Sequence, residues 1–266
     1  MKLTQKQIQD YENQGFLLIP EYFSQTEVSA LRAEIFGLIA DEAVGRVWEE
    51  DKETLRTLYG VHLQNKLFND LVRHPRLLEP AQQLFAPELY VFRSKIVMKS
   101  AFIGGMWEWH QDSAFAQYYE EIYSPKGGNV IFFLDEVNEF NGPVYYINGS
   151  HKQGLIALEQ QVATTPSLTK DYLLTTAKER IASFVDMGGI VAPKGQAGSI
   201  LFVHYDTWHG SVGNISPYNR RNLVITYSSV EQSALPHKER SAFLSNPDRT
   251  PLTVLDPESA NSLLAG

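Results

Sequence analysis

The feature that most narrows the fold is a change of texture at Glu88. Before it, apolar residues recur at helical spacing. After it, the chain breaks into short apolar runs parted by turn residues. In the first part, Thr4 with Gln7 reads as a capping box and Gly15 as a helix stop. Phe16 to Ile19 is a short buried strand ending at Pro20. Ser24 with Glu27 repeats the capping signature, and Val28, Leu31, Ile35 and Leu38 put one apolar stripe on the helix that follows. Leu67 to Phe85 reads as further helix, interrupted near Pro75 and Pro80.

In the second part, strands are expected at Leu89–Lys99, around Trp107–Asp112, and at Asn129–Leu134, Pro143–Ile147, Ser199–His204 and Asn222–Ser228. Lys126-Gly127-Gly128 and Asn141-Gly142-Pro143 read as turns between them. Several short strands at such spacing point to a barrel or sandwich rather than to βαβ units. The stretch of about 155–189 breaks the pattern and reads as an insertion, a candidate lid. The expected organisation is one domain over 1–266: a mainly helical flank at 1–87, a barrel at 88–230 and an irregular tail at 231–266.

Composition removes several function classes. The chain of 266 residues has no cysteine, which excludes disulfides, Cys-ligated metals and thiol catalysis. A net charge of −8 disfavours nucleic acid and anionic membranes as partners. No apolar run reaches the length of a membrane span, and the first residues lack the apolar core of a signal peptide, so a cytoplasmic protein, monomer or homodimer, acting on a small molecule is expected.

The chemistry is concentrated at Trp109-His110-Gln111-Asp112. If that segment is extended, His110 and Asp112 share a face. A second imidazole, His209, follows the apolar run Ser199 to Val203. Two His and one carboxylate leave adjacent coordination positions open, which suits Fe(II) with a bidentate co-substrate and O2, although zinc accepts the same donors. Arg220, eleven residues after His209, begins a strand on which alternation groups Arg220, Asn222, Val224 and Thr226. Only one of Arg220 and Arg221 can face inward, where a guanidinium grips a carboxylate bidentately. Arg93, Lys95 and Lys99 likewise share one strand face, which reads either as a pocket for carboxylates or as a solvated edge. Trp107, Trp109 and Trp208 read as barrel core, and His151 as a turn residue.

Taken together, these residues resemble the phytanoyl-CoA dioxygenase family of Fe(II)- and 2-oxoglutarate-dependent oxygenases, most of all its bacterial free-amino-acid hydroxylases of the leucine 5-hydroxylase type and its ectoine hydroxylases. The likeness runs from Asp10-Tyr11 and Gly15-Phe16 through Arg56 to Tyr59, Trp109 to Asp112, Asn141-Gly142-Pro143, Gly149-Ser150-His151, His209-Gly210-Ser211 and Arg220-Arg221 to Thr250-Pro251. It implies an all-β core with flanking helices, a double-stranded β-helix of the jelly-roll or cupin-like kind. It implies iron held by His110, Asp112 and His209, 2-oxoglutarate held by Arg220 with Asn129, Lys95 and Tyr59 close by, and stimulation by ascorbate.

Asp112 stands where related halogenases carry a small residue, which implies hydroxylation. For the substrate, Arg93, Lys99 and Phe115 are the expected contacts. Cations beside small and aromatic residues fit a free aliphatic L-amino acid, leucine-like. Ala116, where the ectoine enzymes carry an aromatic, makes ectoine less favoured. Another small metabolite or a carrier-bound acyl group is the alternative, and a metal-binding barrel without 2-oxoglutarate chemistry is the alternative of another class.

Overall fold

The computed structural model describes residues 2–40, 44–114, 126–155, 178–232 and 240–264. Helix α1, Gln5–Gln14, starts at the Thr4–Gln7 capping box and stops at Gly15, whose φ of 84° lies in the left-handed region that glycine enters without strain. Strand β1, Phe16–Ile19, leads to helix α2, Gln25–Ala40. There Ser24 N donates to Glu27 Oε2 and Glu27 N to Ser24 Oγ, which completes the second box. The flank also holds two strands that its sequence pattern does not announce, β2 at Arg46–Trp48 and β3 at Leu55–Tyr59. Short helices α3, Val61–Gln64, and α4, Lys66–Leu71, precede α5, Pro75–Leu84. Pro75 opens α5, but Pro80 does not interrupt it. Leu77, Leu78, Pro80 and Ala81 are all buried, so tertiary packing holds the turn despite the missing N–H.

The remaining strands are β4 (Leu89–Lys99), β5 (Trp107–His110), β6 (Gly127–Phe133), β7 (Val144–Ile147), β8 (Ile190–Val191), β9 (Ile200–His204), β10 (His209–Ser211) and β11 (Arg220–Ser229). Helix α6, Lys178–Gly188, precedes β8, and α7, Pro257–Leu263, lies in the tail, which is therefore not wholly irregular. The strands form two antiparallel sheets, ordered β1-β9-β6-β11-β4-β3-β2 and β5-β10-β7-β8. This is the sheet-rich, helix-flanked jelly-roll expected from the sequence.

Alternation assigns each sheet face. On β9, Ile200 and Phe202 point outward to Leu31 and Ile35 of α2 and to Leu77 and Leu78 of α5, in one large cluster. Leu201 and Val203 point inward, where Phe16, Ile131, Tyr146 and Val224 form a second cluster. Both faces are covered, so β9 reads as an unbroken apolar run. Gly127 and Gly128, expected in a turn, lie inside β6. A side chain does not fit at either: a Cβ on Gly127 would stand 2.4 Å from the Tyr205 ring, and one on Gly128 2.4 Å from the Val203 carbonyl oxygen.

The tail straps across β4. Asn246 N donates to Phe92 O, and its side chain donates to Val91 O and meets His62 Nε2. His62 also bonds Ser94 Oγ through Nδ1 at 2.6 Å. His74 caps α5 by accepting from Arg76 N. The described part of the insertion is α6, whose Phe184 packs on Trp208. Residues 156–177 of the expected lid lie outside the described residues. Among the described residues, no helix is long and apolar enough to cross a membrane.

Burial pushes the imidazoles of His62 and His74 from 6.5 down to about 4. Each binds its proton more readily in the unfolded chain. The stability they contribute is therefore full above pH 6.5 and is lost as pH falls toward 4. Urea midpoints across that range should fall with pH. Replacing His62 with Gln should flatten the fall, and an unchanged slope would contradict the assignment.

Candidate metal centre

His110 ends β5 and His209 begins β10, and the two are direct partners across that strand pair. Their rings lie 4.2 Å apart between centroids. Asp112 arrives by a different route from the one its spacing implies. Strand β5 stops at His110, and residues 112–114 form a helical turn. Gln111 locks that turn, its side chain donating to Asp206 O at 2.7 Å and Gly154 O at 2.9 Å. Ser113 N adds a bond to Tyr205 O. The carboxylate consequently swings under both imidazoles, with Asp112 Oδ1 3.9 Å from His110 Nε2 and Oδ2 3.6 Å from His209 Nε2. One ligand atom from each of the three lies within 4.8 Å of the others.

The donor set fits a divalent metal. His110 Nδ1 bonds Glu108 O at 2.6 Å and His209 Nδ1 bonds Thr207 O at 2.9 Å. A carbonyl only accepts, so each Nδ1 carries the proton and each Nε2 offers its lone pair to the centre. Burial, reinforced by neighbouring His209, pushes His110 down to about 3, so it stays neutral. Burial acts to raise Asp112, but His209, Lys95 and His110 outweigh it and hold the carboxyl at about 2. His110 and Asp112 are therefore in their ligating forms at neutral pH.

The centre faces a cavity of about 620 Å³, counting its open mouth, between the two sheets. The long sheet contributes Lys95, Asn129, Arg220 and Asn222, and the short sheet Trp107, Tyr146 and Ser211. Arg220 is 1 % exposed, and burial pulls it only to about 10, so it remains a cation. Its Nη2 donates to Gly142 O at 2.8 Å, and Asn222, with its amide oxygen turned toward the guanidinium, accepts from Nη1 at 2.8 Å. Arg221 takes the opposite face and pairs with Asp135. Tyr146 stacks on the His209 ring, 5.6 Å between centroids and 22° from parallel. Burial raises its phenol well above the usual value; Asp112 raises it further and Arg220 opposes.

The other expected site residues lie in several places. Lys95 lines the cavity, its ammonium 5.9 Å from the Tyr59 ring centre and 5.8 Å from that of Trp107. Tyr59 stands behind it, buried in β3 rather than on the cavity wall. Arg93 and Lys99 share a strand with Lys95 but are not on the cavity wall. Arg93 Nε donates to Leu244 O at 2.7 Å in the tail, next to a bulge in the β4–β11 pairing. Lys99 Nζ donates to Val212 O and Gly105 O, and burial, with Arg220 and Arg56 near, pushes it down to about 6. Phe115 and the rest of 115–125 lie outside the described residues. Trp107 lines the cavity, while Trp109 and Trp208 belong to the apolar cluster around Phe184. Tyr146 went unnoticed in the sequence, because only its pairing with His209 across β7 and β10 brings it to the metal.

Asn129, expected beside the co-substrate, donates its amide to Asp112 Oδ2. Thr226 Oγ1 donates to Asn129 Oδ1 at 2.7 Å and so fixes that amide's orientation. Replacing Asn129 with Ala should weaken iron binding by about 10- to 100-fold, measured by anaerobic competition with a chelator, with the fold intact by circular dichroism.

Comparison with known proteins agrees with this geometry. The family model described as phytanoyl-CoA dioxygenase (PhyH) matches residues 11–222. An ectoine dioxygenase of Bordetella parapertussis is 34 % identical over 246 residues, covering 89 % of this chain and 79 % of the relative. An L-proline trans-4-hydroxylase of Streptomyces griseoviridis is 31 % identical over 254 residues, covering 93 % and 94 %. The crystal structure of EctD from S. alaskensis with bound Fe superposes with a TM-score of 0.80 at 26 % identity, covering 95 % of this chain and 87 % of that one. The form of EctD with 2-oxoglutarate and 5-hydroxyectoine gives 0.80 at 25 %, covering 95 % and 86 %. A partly buried His-Asp-His centre between the sheets of a jelly-roll, in a chain with these relatives, has one reading: the protein belongs to the phytanoyl-CoA dioxygenase family.

Proposed function

We propose that this iron- and 2-oxoglutarate-dependent dioxygenase hydroxylates an unactivated C–H bond of a free aliphatic L-amino acid. The observation that carries the reading is the open cavity joining the His110–Asp112–His209 centre to the buried Arg220 cation. The L-proline hydroxylase, matched along nearly its whole length, supports an amino acid as substrate. The ectoine dioxygenases favour a second reading, a cyclic amino-acid derivative such as ectoine.

His110, Asp112 and His209 hold the iron, and Arg220 receives the distal carboxylate of 2-oxoglutarate. Iron with this co-substrate and dioxygen supplies the oxidation, placing one oxygen atom in the substrate and the other in succinate, with loss of CO2. The protein's part is placement and dryness. Lys95 presents an ammonium between Tyr59 and Trp107 on the cavity wall, within electrostatic reach of Asp112, where a ligand carboxylate finds it. Val97, Ile131, Val203 and Val224 make the wall beside it apolar, which suits an aliphatic side chain and excludes water. Gln111 and Asn129 keep the Asp112 carboxylate from rotating off the centre.

The test is a panel of the free amino acids, plus ectoine, incubated with Fe(II), 2-oxoglutarate and ascorbate and read by mass spectrometry. One aliphatic amino acid should gain a single oxygen with one succinate per turnover. Oxygen gain on ectoine alone would replace the amino-acid reading with the second. Replacing Arg220 with Ala should raise the KM for 2-oxoglutarate by 100-fold or more, the order expected for losing a bidentate charged contact, and leave the substrate KM near its starting value.

A further inference from the structure

The ion pair of Glu49 and Arg56 takes no part in the chemistry above, yet it is buried, with Arg56 3 % and Glu49 8 % exposed. Arg56 stands on β3 and Glu49 just after β2, so both come from the helical flank. Glu49 N donates to Thr54 O at 2.8 Å and closes the hairpin between those strands. Arg56 Nη1 lies 2.8 Å from Glu49 Oε2. A buried pair of this kind adds little net stability over apolar residues, and its best-attested use is to fix register. What this pair grips is the entry to β5. Glu49 Oε1 accepts from Gly105 N at 3.1 Å, and Arg56 Nη2 donates to Met106 O at 2.7 Å. The guanidinium lies 4.3 Å from the centre of the Trp107 ring. A side chain at Gly105 would intrude on the pair, since a Cβ there would stand 2.8 Å from Arg56 Nη1 and 3.1 Å from Glu49 Oε2.

Strand β5 needs such a hold. It has four residues and lies at the edge of the short sheet, with β10 as its neighbour there. The pairing sets His209 against His110 and Ser211 against Trp107, so two steps along β10 cover three along β5, with a register shift between them. A short edge strand with an irregular ladder specifies its register weakly, and a slip of one residue would turn His110 to the other face. We infer that Glu49 and Arg56 are positioning residues for His110, pinning β5 at Gly105, Met106 and Trp107 so that the imidazole at its far end meets Asp112 and His209. This rests on the reading of those three side chains as a metal centre. Lys99 holds the same loop by Gly105 O. The ion pair reaches further, to Met106 and to Trp107, where the strand begins.

The test uses cobalt(II), whose visible absorption reports the geometry of its ligands. The full chain is titrated with cobalt(II) against a chelating competitor, its spectrum is recorded, and folding is checked by circular dichroism. Arg56→Met and Glu49→Gln are compared with the native chain and with Arg76→Met. The last breaks another Arg–Glu pair of the flank, in which Arg76 meets Glu27 and lies over the Phe23 ring. Arg56→Met should bind cobalt about tenfold or more weakly, the order seen when the support of a ligating side chain is lost, and its spectrum should shift. Glu49→Gln has nearly the native shape and keeps an acceptor for Gly105 N, so it should fold and lose about threefold or more from its weaker hold on the guanidinium. Arg76→Met should leave affinity and spectrum unchanged. Native affinity and spectrum in folded Arg56→Met would overturn the inference, and the same result in Glu49→Gln decides against it should the methionine variant not fold. An equal loss in Arg76→Met would also end it, because the pair would then act only through general stability. A native chain that binds no cobalt would instead remove the metal reading beneath it.

Discussion

The structure depends on two hydrogen bonds that never touch a ligand. Glu108 O and Thr207 O each accept the Nδ1 proton of the imidazole two residues further on. Without them either ring could turn its protonated nitrogen to the centre, and the pocket would present Asp112 with a donor rather than a metal with a lone pair. Because both acceptors are backbone carbonyls, the tautomer is written into the paths of β5 and β10. Burial completes the arrangement by keeping His110 neutral while its neighbours keep Asp112 charged.

Around that centre the cavity has two unlike ends. At one end Arg220 lines the wall while Lys99, Arg56 and Glu49 are buried behind it, and Gly142 O, Gly105 O and Val212 O absorb donors from Arg220 and Lys99. Arg56 bonds Glu49 at 2.8 Å and lies 4.3 Å from the centre of the Trp107 ring. Buried charge of this kind depends on its partners, which ties that end of the cavity to the loops supplying them. The rest of the long sheet's wall, with Val97, Ile131 and Val203, is apolar.

Much of this was legible in the sequence, for physical reasons that differ by element. The helix starts carried their own capping chemistry, and β4, β9 and β11 were long or apolar enough to declare themselves. Strand alternation on β11 correctly separated Arg220 from Arg221. The same rule applied to Trp107–Asp112 used the wrong premise: Asp112 sits on a helical turn, and the bonds of Gln111, Ser113 and Asn129 bring it to the place alternation had assigned. On β4 the alternation was sound for the backbone but did not foretell where long side chains end. Arg93 reaches the tail and Lys99 two loop carbonyls, leaving Lys95 to the cavity. Strand β10 is too short for any periodic signal, so the place of Tyr146 beside His209 stayed hidden until pairing showed it. Glycine misled at Gly127-Gly128, where it serves close packing rather than a turn.

The first helix has a reach that its position in the chain conceals. The carbonyl oxygen of Gly15, at its end, accepts from His204 N and from the hydroxyl of Thr207, the latter across 192 residues. Thr207 is also the residue whose own carbonyl orients His209. Closing so long a loop is among the slower events of assembly, because its entropic cost falls before its contacts can form. The end of the first helix thus buttresses, from the far side of the sequence, the very loop residue on which the second imidazole leans.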